Sequence, residues 1–194
     1  MNRIQAYQAL RQSGKLIFTL SDLRKLLDIA SDNTAYKQTG RLVEAGILTR
    51  CAKAIYSLGD APPSDFALAN ILQRPSYLSL ESALNYYGLL LQTPREITSV
   101  TARRAKTIRR KGKIFVYRHL EPSLFGASFI KENNFLIASP EQAFVETIFF
   151  ASLGKLALDW RELKMKMLNK REIIRRAGPI RHPAFHKLLD NALR

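Results

Sequence analysis

The sequence predicts an α+β protein built from two units, and three observations support this fold class. Residues 15–58 contain a short apolar segment, two helical patterns and two short β-type segments, in that order. Residues 97–138 contain three further short segments that are rich in β-branched and aromatic residues. Two consecutive prolines between these regions are incompatible with a helix interior or a central strand. We therefore predict a winged helix-turn-helix domain over residues 1–60 and a mixed α/β domain over residues 64–194, with a small sheet and a basic helical tail.

The first unit begins with a helical pattern over residues 2–12. A second helix starts after Thr19 or Ser21, either of which is a candidate N-cap residue. Its apolar residues recur at helical spacing, at Leu20, Leu23, Leu26 and Leu27. The turn that follows is predicted at Ser31-Asp32-Asn33, because Ser, Asp and Asn favour caps and turns over helix interiors.

The next helix has one apolar face and one polar face. Ala35, Thr39, Leu42 and Val43 lie on the face that we expect to be buried, and Gly46 is placed to end the helix. The opposite face carries residues able to contact bases or phosphates, namely Asn33, Thr34, Tyr36, Lys37, Gly40 and Arg41. In a helix-turn-helix motif such a face enters the major groove of DNA. The alternative is a small helical domain whose charged face is simply solvated.

Residues 47–58 predict a β-hairpin that would form the wing. Its tip is Ala52-Lys53-Ala54, and Lys53 is placed either to contact a DNA phosphate or to be an ordinary exposed turn lysine. Cys51 lies in the first strand of this hairpin, where we expect a small buried thiol. Because it is the only cysteine, it cannot form an internal disulfide, and the sequence fits a reducing cytoplasm.

The second unit is predicted to mix helices with short strands. Helical patterns cover residues 65–73, 79–87, 139–154, 157–176 and 183–193, and strand patterns cover residues 97–101, 113–120 and 134–138. At the clearest helix start Ser139 is the N-cap, Pro140 occupies the first helical position and Gln142 completes a capping box. The basic helical pattern has a possible break near Asn169. Its cations recur at helical spacing and form either one solvated face or an interaction surface: Lys164, Lys166, Lys170, Arg171, Arg175 and Arg176.

A second basic patch lies between the first two predicted strands of this unit. Seven basic residues occur within eleven positions without an acidic one: Arg103, Arg104, Lys106, Arg109, Arg110, Lys111 and Lys113. We expect an exposed hairpin or loop here, and Gly112 supports a turn. Three interpretations remain open. The charges could protect a solvated sheet edge from aggregation, contact nucleic acid, or dock an acidic partner.

The net charge of +15, from 31 Lys and Arg against 16 Asp and Glu, constrains the partner. Residues 1–60 hold nine basic and five acidic side chains, so most of the excess lies in the second unit. A strongly basic protein is expected to bind an acidic partner such as nucleic acid or an acidic protein. A membrane partner is not expected, because no run approaches the ~18 apolar residues that span a bilayer. The start of the chain also lacks the apolar core of a signal peptide.

No sequence pattern predicts catalysis, a metal or a cofactor. His182 and His186 stand four positions apart, a spacing that can hold a metal on a helix, but Pro183 begins that helix and no Cys or carboxylate pair completes the site. The triplet that starts at Glu162 resembles half of a nuclease signature, but it lies in a helical pattern without a distant carboxylate. Motifs for nucleophilic catalysis, phosphate binding and dinucleotide binding are absent from the sequence. We therefore expect a protein that is not an enzyme.

Four segments of the second unit resemble those of a known family. They are YLSLESALNYYGLL (Tyr77–Leu90), ITSVTARR (Ile97–Arg104), FVYRHLEPSLFG (Phe115–Gly126) and IASPEQAFVETIFF (Ile137–Phe150). With a winged helix in front of them, the chain resembles the AbiEi-type antitoxins of abortive-infection toxin–antitoxin systems over about residues 15–150. It departs from the family pattern where PEKAL followed by Asp is usual and Gln142 and Glu146 stand instead. It departs again at the wing, where Ala54 replaces a frequent Gly.

The resemblance implies a transcriptional autorepressor that is also an antitoxin in phage defence. The front domain would bind inverted-repeat operator DNA, and the rear domain would neutralise a cognate toxin that resembles a nucleotidyltransferase, with or without direct contact. The alternative hypothesis is a stand-alone winged-helix transcriptional regulator whose C-terminal domain senses a ligand or a partner. Both hypotheses place DNA contact on the same residues of the first unit: Asn33, Thr34, Tyr36, Lys37, Arg41 and Lys53.

Overall fold

The computed structural model describes residues 2–126, 129–132, 134–157, 159 and 162–193. It is a mixed α and β structure that divides into two compact units, Met1–Ser64 and Asp65–Arg194. Three positions of the predicted basic helix, residues 158, 160 and 161, lie outside the described residues. The first and last residues of the chain, 1 and 194, lie outside them as well.

In the first unit, helices pack with a small antiparallel sheet. In chain order its elements are α1 (Arg3–Gln12), β1 (Ile17–Thr19), α2 (Leu20–Leu26), α3 (Asp32–Glu44), β2 (Leu48–Ala52) and β3 (Ile55–Leu58). Strand β3 is central and pairs antiparallel with both β1 and β2, so that Tyr56 faces Phe18 on one side and Arg50 on the other. The predicted β-hairpin after α3 is therefore confirmed, and β1 extends it to three strands.

Side-chain caps fix where the helices of this unit begin. Thr19 is confirmed as the N-cap of α2: its hydroxyl accepts from the Asp22 backbone N–H, and the Asp22 carboxylate accepts from the Thr19 backbone N–H. Ser31 is the N-cap of α3, because its hydroxyl accepts from the Thr34 backbone N–H at 3.2 Å. The predicted turn was placed too late, since Asp32 already belongs to the first turn of α3.

The predicted end of α3 is confirmed at Gly46, which adopts a φ of +72°. The Gly46 N–H donates to the Val43 carbonyl and the Ile47 N–H donates to the Leu42 carbonyl, both at 3.0 Å. These two hydrogen bonds form a Schellman motif, which satisfies carbonyls that the end of a helix would otherwise leave free. The chain is thereby turned directly into β2.

One hydrophobic core holds the first unit together. The predicted inward face of α3 is confirmed, because Ala35, Thr39 and Leu42 are buried while Val43 is partly buried against the core. The core is completed by residues from the other elements of the unit, among them Leu10, Phe18, Leu23, Leu48 and Tyr56. Cys51 is buried as predicted, and its Sγ lies 3.3 Å from the Ser57 hydroxyl oxygen.

The second unit is built on a six-stranded mixed sheet among the described residues. In chain order its elements are α4 (Asp65–Leu72), β4 (Ser76–Leu78), α5 (Leu80–Tyr86), β5 (Glu96–Thr101), β6 (Lys106–Arg110), β7 (Lys113–His119), β8 (Phe129–Glu132), β9 (Phe135–Ala138), α6 (Pro140–Ser152), α7 (Lys170–Ala177) and α8 (Pro183–Leu193). The strand order is β6-β7-β5-β4-β9-β8, with parallel pairs β5–β7 and β4–β9. The three predicted strands are found as β5, β7 and β9, and four of the five predicted helices are found as α4, α5, α6 and α8, whereas β4, β6 and β8 were not predicted as strands.

Two predictions about helices of this unit are wrong in part. Ser139 caps α6 as expected, but Gln142 does not complete a capping box, because its side-chain amide donates to Glu146 at 2.8 Å. The continuous basic helix predicted over residues 157–176 is also absent from the described residues. A 3₁₀ turn (Met165–Met167) precedes α7, and Asn169 is the N-cap of α7. In the part of the tail that the structure describes, the chain is therefore α-helical only from Lys170 onward.

A fully buried carboxylate joins the layers of the second unit. Glu146 of α6 accepts hydrogen bonds from the Tyr77 hydroxyl, the Ser79 hydroxyl and the Gln142 amide. Burial raises the pKa of Glu146, whereas these donors and the nearby Arg176 act to lower it. The two residues that depart from the resembled family pattern, Gln142 and Glu146, thus contact one another.

Candidate nucleic-acid interface

The strongest candidate interface is the outer face of α3. All of its predicted contact residues are exposed: Asn33, Thr34, Tyr36, Lys37 and Arg41. Tyr36 keeps 50% of its surface in solvent, so its ring is available for contact. The 3.6-residue periodicity separates this face from the buried residues Ala35, Thr39 and Leu42.

Lys37 and Arg41 are the cations available on this face. Neither forms an ion pair with any described residue, so their charges are free to meet an anion. The carboxylates nearest in sequence lie at the helix ends, and one of them, Asp32, already pairs with Arg24 at 2.8 Å. Thr34 is also engaged, since its hydroxyl oxygen accepts from the Ser31 hydroxyl at 2.9 Å. The middle of α3 is therefore positive and polar.

The hairpin adds a second cationic element to the first unit. Lys53 is exposed at the tip, where Ala54 adopts a φ of +57° and allows the tight connection between β2 and β3. Arg50 is exposed on β2, and sequence reasoning missed it as a site residue. The buried positions of β2, Leu48 and Cys51, are three residues apart and not two, because a bulge lies between Arg50 and Ala52.

The second basic patch lies on an edge strand and on the turn that follows it. This agrees with the predicted exposed hairpin or loop. Strand β6 pairs antiparallel with β7 from Lys106–Tyr117 to Arg110–Lys113. The turn is made by Lys111 and Gly112, both with positive φ, at +45° and +74°. Most of the patch is exposed: Arg103, Arg104, Lys106, Arg109 and Lys111.

Strand geometry divides these charges between the two faces of the sheet. Lys106 and Arg110 share one face because they are four positions apart, whereas Arg109 points to the other. Arg110 is half-buried, and Lys113 pairs with Asp65 of α4. A rigid duplex on one face of β6 would therefore contact only part of the patch.

The described residues offer no alternative metal chemistry. Among them, no group of three His, Cys, Asp or Glu residues is arranged to hold a metal ion. His186 lies with Nε2 2.7 Å from the Ile180 carbonyl oxygen, and His182 accepts from the Phe185 backbone N–H through Nδ1. His119 Nδ1 lies 2.9 Å from the Arg103 carbonyl oxygen.

Comparisons with other proteins leave the family open. In the part of the chain that the structure covers, no helix is both long enough and apolar enough to cross a membrane. Neither a scan against protein-family models nor a search of curated proteins finds a match to this chain.

Proposed function

We propose that the first unit is a winged helix-turn-helix and that the protein is a DNA-binding transcriptional repressor. In this proposal α2 and α3 form the helix-turn-helix, and the hairpin of β2 and β3 is the wing. The single observation that carries the proposal is the middle of α3, where Tyr36, Lys37 and Arg41 are exposed on a helix that the core holds rigidly. In a major groove, Lys and Arg can donate to guanine, and Asn33 can form two hydrogen bonds with adenine.

The hairpin supports the same proposal. A cation at its tip, Lys53, would contact the phosphate backbone beside the groove that α3 occupies. Such contacts fix the orientation of a protein on a duplex without reading its sequence. Base contacts from α3 would then supply specificity. If two copies bind the two halves of an inverted repeat, their recognition helices would be separated by about 34 Å or a multiple of it.

The decisive test is the double variant Lys37→Ala/Arg41→Ala in a gel-shift titration with DNA from the chain's own promoter region. We expect binding to weaken by about a hundredfold, because each lost base or phosphate contact costs about 1–3 kcal/mol. The matched control, Lys155→Ala/Arg171→Ala, removes the same charge from exposed positions of the second unit. Equal weakening in both variants, or none in the first, would reject α3 as the recognition helix.

We further propose that the second unit serves an antitoxin role towards a nucleotidyltransferase-like toxin. The support is the order of the four segments that resemble AbiEi-type antitoxins, together with the mixed α/β unit in which they lie. Three of the segments contribute neighbouring strands of one sheet, β4, β5 and β7, and the fourth contributes β9 and α6. They are thus parts of one core rather than scattered similarities.

This role is tested by co-expression with the product of the adjacent reading frame, where that product resembles a nucleotidyltransferase. We expect the full chain carrying Lys37→Ala/Arg41→Ala to rescue growth as well as the unmodified chain, because DNA contact and neutralisation lie in different units. Residues 1–64 alone should fail to rescue. Rescue by residues 1–64, or its loss in the full-length double variant, would reverse the assignment of roles.

A further inference from the structure

The second unit contains an open cavity of about 550 Å³ that neither proposed role uses. Its walls are mostly apolar and come from α4, β4, β8, β9 and the segment before β8: Ala67, Ile71, Tyr77, Phe125, Phe129 and Phe135. A volume of this size lies within the range of about 300–1,000 Å³ that is usual for small-molecule sites.

The aromatic side chains of this cavity form an ordered wall. The ring of Tyr77 stacks on Phe129 with centroids 5.3 Å apart and lies 5.1 Å from the ring of Phe125. Tyr77 is fully buried, whereas Phe129 leaves 39% of its surface exposed. Covering the exposed part of Phe129 with an apolar ligand would be favourable, because it removes apolar area from water.

Two uncharged polar side chains of the cavity wall, Asn70 and Ser76, already have hydrogen-bond partners, and the Ser76 hydroxyl donates to the Gln73 carbonyl at 2.5 Å. The Asn70 side-chain amide exchanges two hydrogen bonds with the backbone N–H and carbonyl of Leu136. It therefore holds α4 against β9 and has little hydrogen-bonding capacity left for a ligand. The body of any ligand that fills this cavity should consequently be apolar.

Charge at the cavity is entirely positive among the described lining residues. The charged side chains that line the cavity are Arg74, Arg103 and Lys131, and all three are exposed. No described Asp or Glu lines it. None of the three forms an ion pair with a described residue. Because these cations stay in contact with water, an anionic head group could pair with them without the cost of burying a charge.

From this juxtaposition we infer that the cavity is a binding site for a small amphipathic anion, whose apolar body packs against the exposed side of Phe129 while the buried Tyr77 ring supports Phe129 from within. Its carboxylate, phosphate or sulfonate head group lies between Arg74, Arg103 and Lys131. The inference does not depend on DNA binding or on toxin neutralisation. It supplies a ligand class for the sensing role that remains the alternative to an antitoxin.

The test uses the full chain and the fluorescent anion 8-anilinonaphthalene-1-sulfonate, displaced by ligands that share a ten-carbon body. We expect decanoate to displace the probe at a concentration about tenfold lower than decyltrimethylammonium does, since their apolar chains are similar and their head groups carry opposite charges. The variant Arg74→Glu/Lys131→Glu should weaken decanoate binding roughly tenfold. The control Lys155→Glu/Arg171→Glu changes the net charge equally and should leave decanoate binding unchanged. Both variants leave Arg103, which also belongs to the second basic patch, in place.

A filling variant separates cavity binding from surface adsorption. Ile71→Trp should abolish decanoate displacement while it leaves the thermal unfolding transition in place. If Ile71→Trp does not fold, the charge-reversed variants decide whether decanoate binds in the cavity, because they change exposed positions only. The inference is overturned by equal displacement with the two head groups, or by equal effects of the two charge-reversed pairs. It is also overturned if a single-stranded oligonucleotide displaces the probe as effectively as decanoate, which would assign the cations to nucleic acid instead.

Discussion

Asp22 shows how one side chain positions the helix that precedes α3. Its carboxylate accepts from the Thr19 backbone N–H at 2.9 Å, from the Thr19 hydroxyl at 2.7 Å and from Lys15 at 2.6 Å. Partial burial acts to raise the pKa of Asp22, but the hydrogen bonds from Lys15 and Thr19 outweigh it and lower this pKa from 3.8 to about 2. The ionised carboxylate therefore stabilises the folded first unit.

We predict that Asp22→Asn destabilises the first unit by about 1–2 kcal/mol at neutral pH, after allowance for the solvent exposure of Lys15. The pKa is lower in the folded state, so this stabilisation is present above the ordinary value of 3.8 and is lost as the pH falls towards 2. The difference between the variant and the unmodified chain should accordingly shrink over that range. Hydrogen exchange of peptides from residues 15–27 at graded urea concentrations measures the free energy of unfolding of both chains at each pH.

The exposed Arg24–Asp32 pair provides the comparison for Asp22. The Asp32 side chain is 71% exposed, so Asp32→Asn should change stability by less than about 0.5 kcal/mol. If both substitutions had the same small effect, the Asp22 hydrogen bonds would contribute nothing beyond a surface ion pair.

At the scale of elements, the join between the end of α3 and the end of β3 depends on Gly59. A Cβ atom added there would lie 2.0 Å from the Gly46 carbonyl oxygen, a backbone atom that no side-chain rotation can move. The Gly59 N–H also donates to the Ile47 carbonyl at 2.9 Å, which holds the two segments together. The close approach is thus required by the fold and not by the conformation of Gly59 alone.

We predict that Gly59→Ala destabilises the first unit by about 1–3 kcal/mol through this clash. Gly40→Ala is the opposite case, because Gly40 lies within α3 with no atom in contact range of an added Cβ. It should stabilise α3 by about 0.5–1 kcal/mol, since alanine favours the helix more than glycine does. Urea denaturation of the two variants in parallel checks both signs. A neutral Gly59→Ala would mean that the hairpin is not held against the end of α3.

The elements that could be predicted from the sequence are those whose signals are local. Ser139, Thr19 and Gly46 mark helix ends by chemistry within a few residues, and the inward face of α3 follows from its periodicity. By contrast, β4 spans only three residues and is followed directly by the N-cap Ser79, so it offers no alternation to detect. Such a strand exists because its neighbours β5 and β9 complete its hydrogen bonds.

The wrong prediction of a long basic helix has a tertiary cause. The Lys164 N–H donates to the Leu89 carbonyl at 2.9 Å, and Leu163 forms an isolated β-bridge with Leu90. These contacts hold the chain extended where its cations alone suggested a helix, and Leu163 and Leu168 become buried. Tertiary contacts override helix propensity here, and the sequence pattern contains no information about the partner segment.

At the scale of the whole molecule, the candidate sites differ in whether their residues are close together in the sequence or are brought together only by the fold. The exposed face of α3 could be predicted because one helix contains all of it. The cavity could not, since Arg74, Arg103 and Lys131 are far apart in the sequence and meet only through the order of the strands. The basic run was visible as composition, but its division between two faces of an edge strand required the pairing of β6 with β7.

The net charge of +15 leads to a prediction about salt, and it separates two interpretations of the second basic patch, nucleic-acid contact and protection of a sheet edge. If that patch contacts the same DNA as the first unit, each lost phosphate contact lowers the slope of log affinity against log salt by about 0.9. We expect Lys106→Ala/Lys111→Ala to lower the slope by about 1.8 in operator titrations between 50 and 200 mM salt, roughly the range over which such contacts dominate. The charge-matched pair Lys155→Ala/Arg171→Ala should leave the slope unchanged, because it reports only the general effect of net charge. An unchanged slope in the Lys106/Lys111 variant, accompanied by aggregation, would show instead that these lysines protect the unpaired edge of β6.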